Sequence, residues 1–416
     1  MIALVDGNNF YVSCERIFNP SLENKPTGVM SNNYGCIISR SIELKDLQVK
    51  MGTPYYQIKD LAVKHGIQLF SSNYTLYADI SSRFMSILRE FGVTQEVYSI
   101  DESFLDITGI ADLTNHGHKI CNTVKQYIGL PVCVGMGETK VLAKFANHLA
   151  KKYKGLYGVC NLSELGEGRV NKAMGITDVK EVWGIGRRTS KKLYQMGIQT
   201  VLDLKLSNKV QIRNIFNINI EKIVSELNGT VCFPLEAAAK SQKHIVSSRS
   251  FAHEISDYNA LLSSLCFHIE RAAHKLRKQG LFVKQLTVFI VTNRFKDDYC
   301  SSSKTIELPQ ALDSFRYLSK HVEDALKAIY NPSLTYKKSG VMLSDLITAD
   351  YEQSDLFGNT NIRHDHLIQT LDGIKNKYEK STINLAAAKL NNDWHMRQDN
   401  LSKRFTSDIN ELLVVE

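Results

Sequence analysis

Residues 96–108 carry the pattern that most restricts the fold. Glu96-Val97-Tyr98-Ser99-Ile100 reads as a strand, Asp101-Glu102 interrupts it, and Ser103-Phe104-Leu105-Asp106-Ile107-Thr108 alternates again. Such a strand–turn–strand needs a sheet to join, and it leaves two carboxylates at or beside the connection. Residues 2–6, Ile-Ala-Leu-Val-Asp, read as another short buried strand ending in a carboxylate, Asp6. Gly7-Asn8-Asn9 breaks it, and Phe10-Tyr11-Val12 begins a helical stretch. Residues 131–135 (PVCVG) suit a further strand, followed by a helix from about 140 to 151. Between 71 and 91, Leu76, Ile80, Phe84, Ile87, Leu88 and Phe91 fall at spacings of three and four, the period of a helix packed on one face. Helices and strands therefore mix in an α+β order, not the regular βαβα order of a doubly wound sheet.

If the strands ending at Asp6 and at Asp101-Glu102 are neighbours, three acids meet at one sheet edge. Clustered carboxylates repel unless a cation neutralises them, and hard oxygen ligands suit Mg²⁺. Solvated turn acids explain the same spacing equally well. A second signal is Val182-Trp183-Gly184-Ile185-Gly186-Arg187-Arg188-Thr189-Ser190-Lys191-Lys192-Leu193. A Gly-Ile-Gly hairpin that opens a helix presents backbone N–H groups to a phosphate. The trailing Arg-Arg and Lys-Lys favour a helix-hairpin-helix over a plain helix–helix turn. Gly135-Met136-Gly137-Glu138-Thr139-Lys140 lacks the spacing of a Walker phosphate loop.

The 416 residues suggest about three domains. With 43% hydrophobic and 23% charged residues the chain is neither disordered nor dependent on covalent staples. No apolar run approaches a membrane span, and Asp6 interrupts any signal-peptide core, so we expect a cytoplasmic protein with no membrane partner. The net charge of +8 suits a polyanion. The eight cysteines form no CxxC pair and are expected as free thiols. The pairs His116/His118 and His364/His366 have no ligand spacing and are expected as solvated loop histidines. Residues 168–232 look helical and basic, and 233–243 look like a linker. Residues 244–345 alternate strand-like runs (IVSSRSF, QLTVFIVTN, KTIEL) with two amphipathic helices, the second expected over 311–329. The chain beyond 346 is polar and Asn/Asp-rich.

The segments VDGNNFYVSCE (5–15), KPTGVMSNNYGCIISRS (25–41), VKMGTPYYQ (49–57), FSSNYTLYADIS (70–81), VYSIDESFLDITG (97–109), VCVGMGETKVLAKFANHLAKK (132–152), VWGIGRRTSKKL (182–193) and SRSF (248–251) stand in one order along the chain. In these the chain resembles the Y-family translesion DNA polymerases, and within them the UmuC-type catalytic subunits of bacterial DNA polymerase V. The resemblance implies a right-hand polymerase. Its ferredoxin-like palm would be 1–10 and 71–167, its fingers 11–70, its helix-hairpin-helix thumb 168–233 and its α+β little finger 241–346, with a polar tail over 347–416.

By the same resemblance Asp6, Asp101, Glu102 and the Gly7 carbonyl would bind two Mg²⁺ ions, with Glu102 a ligand or a proton-handling neighbour. Lys45 and Lys151 would contact the triphosphate. Lys45 departs from a frequent Arg, and Ile42 stands where some relatives carry a phosphate-contacting Tyr. Tyr11 would exclude ribonucleotides, and Cys36 and Ile38 would cover the nascent base pair. Gly184, Gly186, Arg187, Arg188 and Lys191 would grip the DNA backbone. Gln353, Leu356 and Phe357 resemble a clamp-binding peptide. The implied activity is error-prone translesion synthesis in the SOS response. The implied partners are primer-template DNA, deoxynucleoside triphosphates, the sliding clamp, a UmuD-type processed dimer and a RecA-type recombinase. Two other readings compete: a non-catalytic helix-hairpin-helix DNA-binding scaffold, and a palm-fold nucleotidyl cyclase.

Overall fold

The computed structural model describes residues 1–33, 35–237, 242–348, 362–377, 383, 386–389, 394 and 398–412. Two units divide the chain: Met1–Ala239 with Gln398–Glu416, and Lys240–Arg397.

The first unit is built on a five-stranded sheet ordered Gln95–Val97, Glu102–Asp106, Ile2–Gly7, Val132–Gly137, Val159–Asn161. The first strand of the chain is central and antiparallel to both neighbours. Both its faces are covered, which is why it reads as an unbroken apolar run. Ala3 and Val5 join Leu76, Tyr77, Ile80 and Phe84 of the helix Tyr74–Leu88, together with Ile120 and Val124 of the helix Leu113–Ile128. Ile2 and Leu4 turn the other way, toward Phe104 and Ala143. Each fully buried Val, Leu, Ile or Phe side chain among these contributes about 1.5–3 kcal/mol.

The helix Lys140–Lys152 crosses that second face very closely. A Cβ at Gly135 would lie 2.0 Å from the Asn147 amide nitrogen. The glycines of 135–137 thus serve helix–strand packing. This contact positions Lys144 and Lys151, two turns apart on one helical face, over the central strands.

A three-stranded sheet, Ile37–Arg40, Thr27–Met30, Gln68–Ser71, carries the segment between Phe18 and Tyr74. Five helices between Glu167 and Leu227 bury Val170, Met174, Leu193, Val201, Leu204, Ile212 and Ile223 around one core.

The second unit is a four-stranded antiparallel sheet ordered Ser301–Leu312, Leu281–Thr292, Tyr336–Thr348, His244–Ile255. The helices Tyr258–Lys278 and Phe315–Ile329 cover one face. The strand Tyr336–Thr348 is missing from the sequence reading, because its polar start, Lys337-Lys338-Ser339, hides the alternation. Residues 311–312 finish an edge strand instead of opening a helix, and Pro309 sits in that edge strand, where a lost donor is tolerated.

Two histidines are corrected as well. His116 and His118 lie on the helix Leu113–Ile128 and are half-buried, and His116 Nε2 meets the Phe91 carbonyl at 2.8 Å. Every cysteine is a free thiol. Among the described residues no helix is long and apolar enough to cross a membrane.

Candidate active site

Strand pairing brings the three acids together. In register, Asp6 faces Glu102, and the Gly7 amide donates to the Asp101 carbonyl at 2.8 Å. Ser99 shapes the turn. Its hydroxyl donates to Asp101 Oδ1 at 2.6 Å and accepts from the amides of Asp101 and Glu102 at 3.2 and 3.0 Å.

Two lysines answer the acids. Lys151 Nζ is 2.6 Å from Asp6 Oδ2. Lys144 Nζ donates to both Glu102 oxygens at 3.0 and 3.1 Å. Burial pushes the Asp6 carboxyl up to about 6, against the pull of Lys151 and with smaller contributions from Glu102 and Asp101. Among the described residues no group of three His, Cys, Asp or Glu side chains is arranged to hold a metal ion. The carboxylates are satisfied by lysines and a hydroxyl instead. Their chemistry still fits a hard cation: the donors are oxygens only, and a buried carboxylate gains from a strong positive charge.

Beside the acids lies a cationic cluster. Lys45 Nζ donates to Asn9 Oδ1 at 2.7 Å, a neutral partner. Burial, then the charges of Arg40 and Lys151, lower the Lys45 ammonium pKa. Lys45 thus stands against two further cations, an arrangement that a polyanion relieves. Arg40 is passed over by the sequence reading; its one signal is that it ends the strand Ile37–Arg40, and its guanidinium donates to the Val49 carbonyl at 2.6 Å.

Tyr11 opens the helix Phe10–Phe18 just after Asn9, whose φ of 50° sets the sharp exit from the strand. Its ring stacks on Tyr77 at 4.6 Å and 18° and meets Tyr74 edge-on at 6.1 Å.

Residues 5–148 match the model of the impB/mucB/samB family, and residues 242–356 match the C-terminal domain of that family. Residues 365–415 match a domain of unknown function. Protein UmuC of Salmonella typhimurium is 38% identical over the whole of both chains. Protein SamB of Salmonella typhimurium is 39% identical over 98% of this chain and 97% of its own. The chain belongs to the impB/mucB/samB family.

This member of the impB/mucB/samB family has the right-hand polymerase fold. A Y-family DNA polymerase chimera of Dbh and Dpo4 superposes with a TM-score of 0.68 at 24% identity, over 84% of this chain and 100% of that one. The reading as a non-catalytic scaffold is not favoured.

The other expected positions scatter around the acids. Cys36 bridges to Pro54, and its amide donates to the Ser31 hydroxyl at 3.0 Å. Ile38 packs against the same apolar cluster as Tyr11. Gly184 has a φ of 87°, the left-handed region that favours glycine, and a Cβ there would also press on the terminal methyl of Ile223 at 2.7 Å. Gly186 leads into the helix Arg187–Gln195 with no side-chain cap, and Arg187, Arg188 and Lys191 are exposed beside it. Gln353, Leu356 and Phe357 lie outside the described residues.

The sequence reading misses Lys144. Its ammonium sits 4.4 Å from the Tyr98 ring centre and 5.4 Å from that of Trp183. Trp183 Nε1 donates to the Tyr98 hydroxyl at 3.0 Å. The hairpin segment thereby touches the partner of a candidate catalytic acid.

Proposed function

We infer that this chain is an error-prone DNA-directed DNA polymerase that extends primers past damaged template bases. Full-length likeness to UmuC and SamB on a right-hand polymerase fold carries the reading. DNA and deoxynucleoside triphosphates are its substrates, and divalent metal ions serve it as they serve Y-family polymerases.

We assign two Mg²⁺ ions to Asp6, Asp101 and Glu102 with the Gly7 carbonyl. Bound there, they would activate the primer 3′-hydroxyl and neutralise the departing pyrophosphate. Lys45 and Lys151, with Arg40 beside them, hold the triphosphate; as an ammonium, Lys45 does so without a guanidinium fork. Tyr11 lies under the deoxyribose and collides with a 2′-hydroxyl. Cys36 and Ile38 cover the nascent pair, and the small thiol leaves room for a damaged base. Gly184, Gly186, Arg187, Arg188 and Lys191 hold the duplex backbone.

The palm is 1–10 with 71–167, the fingers 11–70, the thumb 168–233, the little finger 241–346 and the tail 347–416. Gln353, Leu356 and Phe357 dock on the sliding clamp. A UmuD-type processed dimer and a RecA-type recombinase filament activate the enzyme in the cytoplasm during the SOS response.

Primer extension across an abasic template, with Mg²⁺ and with or without the accessory dimer and filament, tests this. We expect Mg²⁺- and template-dependent addition. DNA binding without nucleotide addition in every combination returns the scaffold reading. Nucleotide turnover that ignores DNA returns the cyclase.

A further inference from the structure

The end of the chain returns to the first unit. The Ser71 amide donates to the Asn400 carbonyl at 2.8 Å, and Leu401 bridges Ser71 in parallel, so this stretch lies alongside the strand Gln68–Ser71. Asn73 Nδ2 donates to the Ser402 carbonyl and hydroxyl, both at 3.0 Å, and to the Lys403 carbonyl at 3.2 Å. Asn73 also caps the helix Tyr74–Leu88, accepting from the Leu76 amide at 3.2 Å. Phe405 stacks on Phe18 at 4.9 Å and 10°. This segment belongs to the match of unknown function.

The contacts converge on Glu15, which is 2% exposed. Its Oε1 accepts from the Tyr77 hydroxyl at 2.6 Å and from the Ser402 hydroxyl at 3.0 Å. Burial raises the Glu15 carboxyl pKa, and these two hydrogen bonds draw it back. A buried acid with so few donors is held where they stand, and losing one leaves it desolvated and under-bonded. Tyr77 is fully buried and is the ring on which Tyr11 stacks. Glu15 lies one helical turn beyond Tyr11 on the same face of Phe10–Phe18. The Tyr11 ring therefore rests on a platform whose position depends on a hydroxyl from the far end of the chain.

We propose that residues 398–412 form a clasp that sets sugar selectivity, with Ser402 and Phe405 as positioning residues that hold Glu15, Tyr77 and the helix of Tyr11 in register. The inference rests on the reading of Tyr11 as the sugar gate. It gives the last part of a domain of unknown function a task in the catalytic unit. Without the clasp, Tyr77 loses its fixed acceptor, the Tyr11 ring gains freedom to tilt, and a ribonucleotide finds room.

The test uses the full-length protein on one primer-template and compares kcat/KM for a deoxynucleotide and the matching ribonucleotide. Ser402→Ala should lower the discrimination by about fivefold, the scale of the net contribution of one ordinary hydrogen bond. The change should come through better ribonucleotide use, and Ser402→Thr should restore the wild-type ratio. Phe405→Ala should act in the same direction. Tyr11→Ala separates the two ideas. If it relaxes discrimination while Ser402→Ala and Phe405→Ala keep the wild-type ratio, the clasp is wrong and the gate stands. If Tyr11→Ala itself leaves the ratio unchanged, the gate reading fails and takes the clasp with it. Should Phe405→Ala fail to fold, Ser402→Ala decides alone, since it removes only one oxygen atom.

Discussion

Lys144 Nζ donates to both carboxylate oxygens of Glu102, at 3.0 and 3.1 Å. The same ammonium is caged by Tyr98 and Trp183, so a cation–π contact links the hairpin segment to the acid. Lys144→Met keeps the stem and removes the charge. It should slow single-turnover nucleotide addition by about tenfold, the order that a lost charge-assisted hydrogen bond implies. DNA affinity should stay within twofold, about the spread of an untouched contact. In a Trp394→Phe background, Trp183 emission should shift when Lys144 is replaced. Unchanged emission together with an unchanged rate would mean that the cage is only packing.

Asp101→Ala should abolish nucleotide addition and leave primer-template binding nearly intact, because in the proposed function the exposed Arg187, Arg188 and Lys191, not the acid, supply the sequence-independent phosphate affinity. Rapid-quench extension and fluorescence anisotropy read the two separately. Extension near the wild-type rate would remove Asp101 from the proposed metal site.

Gly135→Ala places a methyl group 2.0 Å from a backbone nitrogen, where no side chain can yield. The cost should exceed the roughly 1–3 kcal/mol of ordinary overpacking and lower the melting temperature by about 5 °C or more. Gly155→Ala, where a Cβ meets nothing within 4 Å, is the matched control. Equal melting of both variants would contradict the close helix–strand contact.

His268 is 2% exposed, and its Nδ1 meets the Ser247 hydroxyl at 3.0 Å. Burial first, then Arg249, Arg271 and Lys338, push its pKa from 6.5 down to about 3. Between those two values the unfolded chain binds the proton and the folded chain does not. Stability should therefore fall as pH drops through 6.5 toward 3. His268→Gln keeps a polar partner for Ser247 without the titration. Its melting temperature should fall less than that of the wild type between about pH 7 and pH 5. Parallel pH profiles would refute the assignment.

Leu356→Ala with Phe357→Ala should remove clamp-stimulated synthesis and spare basal extension, because a tether raises local concentration without touching the chemistry. Surface plasmon resonance with purified clamp measures it directly. Equal binding by the variant and the wild type would end the clamp reading.

Local pattern determined much of this protein. The strand read at 2–6 follows from a short unbroken apolar run, and the strand–turn–strand that carries Asp101 and Glu102 and the helices after residues 73 and 139 follow from periods of two and of three to four, which neighbouring residues alone establish. The order of motifs identified the polymerase resemblance. Only the tertiary structure decided which charges meet. Lys144 and Glu102 are 42 residues apart, and Ser402 and Glu15 are 387 apart. A lysine on an amphipathic helix reads as solvated until the helix is laid across the sheet, and a polar tail reads as unattached until its Ser402 hydroxyl donates to a buried acid. Such pairings depend on how distant segments close on one another, and no local periodicity encodes that.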